Sequence, residues 1–446
     1  MNIGALQLND QSAVDLRIDA TTGNVKNASI YTTTANLDGV LNLIGSSKIS
    51  KYEQLPLVMG NLSGAFDSIS QPTSVENQNT LSVVSTPMGL VANGRFLFVN
   101  STGDSGIGTL RDAISKANQD VGLDHIYFDL PSSTTQQISP TSDLPTITNP
   151  VYLHGLYAVD QNSYKNAPWV ALDGSQINGF STGLRFDSNN STLQALSLTG
   201  FGYATILSGN QNQLLGNYFG IRPDGSFGAN QVAVGVFGSN NQIGSGFTQD
   251  RNFIAASQSV GISLSDPNAH SNRIFGNWIG LGPGGNSPEA QGNGVSIYGA
   301  SNNYIGTNGD SLNDDAEGNV ISGNSSGIEL INAHNNRISG NRIGTTPDGS
   351  SRLQNISFGI SIYYSHETIV GTNGDGTSDS FERNLISGNG YGGITINDSN
   401  QNRIAGNYIG TNTSGSESIP NYGNGVSIRG NSTGNTIGTD SSNDAW

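Results

Sequence analysis

A fifteen-residue stretch, GIELINAHNNRISGN from Gly327 to Asn341, returns with drift from Gly183 to the end of the chain. Copies read GISLSDPNAHSNRIFGN from Gly261, GVSIYGASNNYIGTN from Gly294, GISIYYSHETIVGTN from Gly359, GITINDSNQNRIAGN from Gly393 and GVSIRGNSTGNTIGT from Gly425. Successive starting glycines lie 32 to 34 residues apart. A fixed period of this size is the signature of a solenoid, in which each coil buries its apolar face only by stacking on its neighbours.

Within a copy the apolar residues alternate, and a period of two belongs to strands. Ile328 and Leu330 are expected to point inward with Glu329 outward; the chain then bends through asparagines, buries Ile338 and reaches a Gly-Asn corner. Two residues before each second inward position stand Asn212, Asn241, Asn272, Asn303, Asn336, Glu367, Asn402 and Asn435. Coils stacked ~4.8 Å apart would let these amides bond to one another along the axis. Seven asparagines in eight coils are therefore expected to be architecture, with Glu367 the one break. The coils also alternate in type: one carries a Pro/Gly loop, such as TPDGSSRLQN, and the other an acidic loop, NGDSLNDDAEG from Asn308 or NGDGTSDSFER from Asn373. Both loop types should emerge along edges of the solenoid.

Residues 1–93 lack the repeat, although alternation at Val14, Leu16 and Ile18 and the run GVLNLIG predict strands. The stretch from Gln71 to Gln78, rich in Pro, Ser, Thr and Asn, reads as a loop. In residues 94–182 a single helix is expected at GTLRDAISKAN, with Thr109 as N-cap and Leu110, Ala113, Ile114 and Ala117 on one face. A solenoid needs its first coil covered, which makes this helix the expected N-terminal cap ahead of imperfect first coils. The regular coils fill 183–446, and the last of them stops before the strand that follows the acidic loop in earlier coils. Such an edge predicts self-association there or a longer native chain.

The corner motifs GNYFG, GNWIG, GNRIG and GNYIG, with NVISGN at Asn319 and NLISGN at Asn384, resemble those of pectin-lyase-like parallel β-helix proteins, specifically bacterial surface proteins with loose GNxIGT and NVISGN repeats. The resemblance covers roughly the last 260 to 350 residues. It implies a right-handed parallel β-helix, and with the capping helix and the β-rich N-terminal segment read above the expected fold is all-β with one short helix. It specifies fold far better than activity, because that superfamily holds lyases, hydrolases, epimerases, adhesins and phage spikes.

Composition narrows the partners. A net charge of −16, with 18 basic residues and no lysine after Lys165, disfavours nucleic acid or an anionic membrane. The absence of cysteine removes disulfides and thiolate chemistry. No apolar stretch is long enough to span a membrane, and the first residues lack a signal-peptide pattern. The expected location is extracellular or at a cell surface, by an export route the sequence does not show.

In the family resembled, chemistry sits on the outer face of the strand that opens each coil. Here that face is expected to present Arg185, Thr205, Ser263, Ser296, Glu329, Ser361, Thr395 and Ser427, then Asp187, Leu207, Phe237, Ser265, Tyr298, Ile331, Tyr363, Asn397 and Arg429. Glycoside hydrolysis needs a pair of carboxylates, and Glu329 has no acidic neighbour in register. Lyases of the family need a Lys or Arg base, and the family's acidic and Gly-His-Gly signatures are missing. Polysaccharide binding is therefore the leading expectation, by Tyr298, Tyr363, Glu329, Ser296 and Ser361 on a scaffold or adhesin. A polysaccharide lyase is the alternative and an end-to-end assembling segment a second one; the catalytic candidates are Glu329, Tyr298, Tyr363, Arg429, His366 and Glu367. Arg273, Arg337 and Arg403 recur in step, as do His270 and His334, and repetition favours a structural role. Calcium is the one cofactor expected, with Asn373, Asp375, Thr377 and Asp379 offering oxygens at alternate positions and Asn308, Asp310 and Asp314 nearly repeating them.

Overall fold

The computed structural model describes strands within residues 1–94, and then residues 95–438 apart from 120, 132–133, 156–167 and 288–290. The chain divides into two units, Met1–Phe98 with Gln119–Tyr127, and Val99–Asn118 with Phe128–Trp446. In the first unit the expected strands form: Ala13–Thr21 pairs in parallel with Val40–Gly45, Val14 opposite Leu41. Asn2–Gln7 likewise lies parallel to Ile30–Leu37. The predicted loop at Gln71–Gln78 falls outside the described residues.

The second unit is the solenoid. Three long sheets run along it, every pair of neighbouring strands parallel, each pair joined by one full coil. An opening sheet runs from Thr182–Phe186 to Val426–Arg429, a ladder sheet reaches Thr436–Gly438, and a corner sheet runs from Gln136–Ile138 to Tyr408–Ile409. Parallel strands joined by crossovers take the right-handed connection, which makes this a right-handed parallel β-helix.

Each sheet turns aliphatic side chains inward in files. The opening sheet contributes Ile262, Val295, Ile328, Ile360 and Ile394, all fully buried; the ladder sheet contributes Ile274, Ile305, Ile338 and Val370; the corner sheet contributes Ile279, Ile321, Ile343 and Ile386. Each such side chain stabilises the coil stack by about 1.5–3 kcal/mol. Stacking also explains the glycine that opens each copy: a Cβ at Gly294 would lie 2.7 Å from the Gly327 carbonyl oxygen and 2.8 Å from Ile321.

The asparagine file forms as expected. The backbone N–H groups of Asn212, Asn241, Asn272 and Asn303 donate to the side-chain oxygens of Asn241, Asn272, Asn303 and Asn336, at 2.8, 2.8, 2.9 and 2.9 Å. The file continues from Thr368 to Asn402 and from Asn402 to Asn435, each at 2.9 Å. The residue in it is thus Thr368 and not Glu367. Ile338 pairs with Val370, so Val370 takes the inward place that a reading of Ile369 as inward had denied it. Because strand faces alternate residue by residue, that slip of one moved Glu367 from the preceding turn into the ladder. Two further ladders run along the other corners, through Asn217, Asn252, Asn277, Asn319, Asn341, Asn384 and Asn407, and through Asn324, Asn355, Asn389 and Asn421.

Thr368 is fully buried and its hydroxyl has no hydrogen-bond partner among the described residues. Thr368→Asn should therefore raise the unfolding free energy by about 1 kcal/mol, since it restores the amide that flanking coils carry. Urea titration checks this, and a destabilised variant would mean that the site has closed around threonine.

At the start of the solenoid, α1 (Leu110–Ala117) begins where expected: the Thr109 hydroxyl accepts from the Asp112 N–H, and Leu110, Ala113, Ile114 and Ala117 are buried. Asn118 at its end donates to the Thr146 carbonyl at 2.7 Å and accepts from the Thr148 N–H at 2.9 Å. Arg111 donates to the Asp143 carbonyl and bonds Asp104. These contacts fasten the cap to residues 142–148. Among the described residues no helix is long and apolar enough to cross a membrane.

Candidate functional site

Strand pairing decides which side chains share the outer face of the opening sheet. Ser263, Ser296, Glu329, Ser361, Thr395 and Ser427 pair in series, and so do Tyr298, Ile331, Tyr363, Asn397 and Arg429. These two outward files stand side by side, as expected. Two expected members are misplaced. Thr205 and Leu207 pair with Leu184 and Phe186, and all four are buried inside; Ile206, opposite Arg185, takes the outward place. The local sequence TILSGN offers two apolar residues in a row, and alternation alone selected the wrong one.

Tyr298 and Tyr363 are two coils apart, ~9.6 Å along the axis at ~4.8 Å per coil. Tyr298 is 57% exposed, and neither tyrosine hydroxyl has a hydrogen-bond partner among the described residues. Between them in the neighbouring file, Glu329 is half-buried and accepts from the Asn293 amide at 3.0 Å. Burial pushes the Glu329 carboxyl up from its ordinary value, and the Asn293 amide opposes only part of that shift. Ser361 beside it is buried, while Arg429 stands exposed three coils on, its Nε donating to the Ser427 hydroxyl at 3.0 Å. One face thus combines aromatic rings, hydroxyls, one acid and one distant cation. It stacks and hydrogen-bonds well, but it offers no second carboxylate in register with Glu329.

The other catalytic candidates lie elsewhere, on the turn that leads into the ladder sheet. His334 and His366 stack with centroids 4.9 Å apart. Nδ1 of His334 accepts from the His366 backbone N–H at 3.1 Å, and Nδ1 of His366 from the Asn400 N–H at 2.9 Å. The same place in other coils holds Asn210 and Asn400, whose side-chain oxygens accept from Ser239 and Thr433. His334 and His366 therefore act as hydrogen-bond acceptors in a further ladder, whereas Nδ1 of His270 meets the neighbouring Ser271 hydroxyl at 3.2 Å. Glu367 follows at a left-handed φ of 57°, a place that Asn335 and Gln401 fill in adjacent coils.

A ring nitrogen that accepts an N–H cannot carry a proton. Burial chiefly, then the neighbouring His366, holds His334 below its ordinary value, against a smaller opposing pull from Glu367. A histidine pKa depressed in the fold gives stability that is complete above the unfolded value near 6.5 and is lost as pH falls through the lower folded value. The urea midpoint should thus decline as pH falls below the unfolded value near 6.5, and His334→Asn, which keeps an acceptor, should flatten that decline. An unchanged slope in the variant would clear His334 of the effect.

The repeated arginines are also structural. Arg273 reaches Glu317 at 2.9 Å and Arg337 bonds Glu382, the closing residues of the short helices α2 (Asp314–Glu317) and α3 (Asp379–Glu382) in the acidic loops. Arg403 donates to the Asn373 carbonyl at 2.8 Å.

The calcium candidates hold the shape of their loops. Asp375 accepts from the Asn373 side chain at 2.9 Å and the Thr377 N–H at 2.7 Å; Asp310 accepts from Asn308 and the Leu312 N–H; Asp314 accepts from the Thr307 hydroxyl and the Ser311 N–H. Asp379 opens α3. Among the described residues no three His, Asp or Glu side chains gather as they would around one ion.

Two features of the outer face escaped the sequence reading. Phe358, Tyr391, Tyr422, Asn424, Ser427 and Arg429 line a groove of about 300 Å³, with Phe358 edge-on to Tyr391 at 4.9 Å and Arg352 over Tyr422 at 4.3 Å. Tyr364, next to Tyr363, is 52% exposed. Only stacking brings residues from three turns together, and no local motif signals it.

The architecture is a right-handed parallel β-helix of three sheets. The chain's own three parallel sheets carry that assignment; no family profile and no curated protein matches the sequence. Solved structures similar to it include tailspike protein 2 of an Escherichia coli O157:H7 bacteriophage, at 12% identity and TM-score 0.41, covering 81% of this chain and 41% of that one. A PL6 alginate lyase in complex with a trisaccharide is similar at 14% identity and TM-score 0.38, over 70% and 60% of the two chains. A periplasmic alginate epimerase is similar at 11% identity and TM-score 0.30, over 92% and 76%. The chain thus spans less than two thirds of the tailspike and of the lyase.

Proposed function

We propose that the protein is a β-helix scaffold that binds a polysaccharide along the outer face of its opening sheet, outside the cytoplasm. The observation that carries this reading is the pairing of the files. Tyr298 and Tyr363 stand two coils apart with free hydroxyls, beside Ser296, Glu329 and Ser361. Sugar rings present C–H faces to aromatic side chains and hydroxyls to polar ones, and this face offers both in alternate rows. Its ~9.6 Å aromatic spacing is close to the length of a disaccharide unit.

Binding to a glycan array tests the reading. The Tyr298→Ala, Tyr363→Ala double variant should lose the glycans that the wild type captures, by about tenfold or more in affinity. Unchanged capture would move the site elsewhere.

One observation favours a second reading, cleavage of a glycan. Glu329 is half-buried and its carboxyl is pushed up, the condition of a general acid. Release of unsaturated product from polyuronates, followed by ultraviolet absorbance and abolished by Glu329→Gln, would establish a lyase. Silence on every polymer, with and without calcium, would leave the binder.

A further inference from the structure

The residue that leaves the opening sheet toward the ladder turn is left-handed in coil after coil. Gly299, Asn332, Tyr364, Asp398 and Gly430 occupy it, with φ of 67°, 50°, 51°, 48° and 64°. Backbone bonds confirm that they are equivalent: Gly299, Asn332, Tyr364 and Asp398 donate in turn to the carbonyls of Ile331, Tyr363, Asn397 and Arg429. Glycine takes this conformation without a steric penalty, and Asn and Asp tolerate it through short polar side chains. A bulky side chain there is a genuine outlier. Tyr364 is the only aromatic residue with a left-handed φ among the described residues.

Among the described residues no ring contact and no side-chain hydrogen bond of Tyr364 offsets that conformation, and the residue is 52% exposed. A folded chain keeps a residue in an unfavourable backbone state when something outside the local fold gains from it, and such residues gather at ligand sites. Two more tyrosines with unbonded hydroxyls, Tyr363 and Tyr298, border the same edge of the opening sheet. Outward Ile331 lies between those two in register.

We infer that Tyr364 is a glycan-binding residue, a stacking platform at the edge of the outer face that holds a pyranose unit as it passes from the Tyr298–Tyr363 file toward the ladder turn. The inference rests on the polysaccharide-binding reading and adds a residue and a boundary to it. Ligand therefore crosses the sheet edge beyond Tyr363. The occupant is a sugar and not an apolar protein segment, because the part-exposed outward neighbours of the rings include the Ser296 hydroxyl, the Glu329 carboxylate and the Asn397 amide.

The test measures stability and binding on the same variants. Tyr364→Asn and Tyr364→Gly place at this position residues that neighbouring coils already use. Both should melt at a higher temperature than the wild type, and both should bind the glycans captured by the wild type roughly tenfold more weakly. Those two changes in opposite directions are what a merely structural tyrosine would not give. Binding that persists in both variants while Tyr298→Ala, Tyr363→Ala abolishes it would overturn the inference and leave the broader reading intact. Variants that melt lower would also overturn it, because the tyrosine would then be held by the fold itself. A wild type that captures no glycan would remove the reading and the inference together.

Discussion

Arg337→Ala is expected to cost about 3–5 kcal/mol of stability, the largest loss from any single truncation of a charged residue in the solenoid. Arg337 lies on the outer face of the ladder sheet and bonds Glu382, which closes α3 in the acidic loop of the following coil. Glu382 is fully buried, and one of its oxygens accepts from the Asn373 backbone N–H at 2.8 Å. Burial raises its carboxyl above the ordinary value even though that bond and Arg337 pull it down. Deleting the guanidinium would leave a buried carboxylate with one backbone partner, so the penalty is that of an uncompensated charge and not merely a lost contact. Two controls grade the effect. Arg273→Ala should cost less, because Arg273 is 25% exposed and Glu317 keeps some access to water. Arg185→Ala, in a pair that is 44% and 42% exposed, should cost at most about 1 kcal/mol. Urea unfolding would rank the three, and equal losses would show that burial does not set the strength of these pairs. Arg337→Met with Glu382→Met should recover most of the loss, since removing both charges leaves no orphan.

The same geometry explains what could be read in advance. Period, strand faces and the asparagine file were legible because stacking repeats one chemical demand in every coil, and Asn303 declares its role through Asn272 and Asn336. Where a demand is met once, the pattern gives no second copy to check against. In the coil from Gly359, HETIV offers Ile369 and Val370 as rival inward residues, and only pairing with Ile338 selects Val370; in TIL the same ambiguity hides the inward place of Thr205. The site was harder still. Pairing placed Tyr298, Glu329 and Tyr363 together as read, but the groove at Phe358, Tyr391 and Tyr422 depends on turns whose lengths differ between coils. Tyr364 was invisible for another reason: its exception is conformational, and only equivalent backbone positions such as Gly299 and Asn332 reveal it.

Asn303→Ala should cost about 3 kcal/mol or more, although it removes only a few atoms from a corner of the coil. The Asn303 side-chain oxygen accepts from the Asn272 backbone N–H at 2.9 Å and from the Asn272 amide at 3.0 Å. Its nitrogen donates to the carbonyls of Ala269 and Ser301 at 2.9 and 3.1 Å. Asn272 is fully buried, so its N–H cannot turn to water when the acceptor leaves. Each buried polar group stranded in this way costs about 1–3 kcal/mol, and the alanine strands several. Asn435→Ala, at the last rung within the described residues, should cost less because Asn435 is half-exposed. The loss should also be local, since coils couple mainly to their neighbours. Hydrogen exchange should quicken first at Asn272 and Tyr304, while amides near Leu184 keep their protection. Uniform quickening along the chain would mean that the solenoid unfolds as one block, and a loss below about 1 kcal/mol would show that aliphatic stacking alone sets the register.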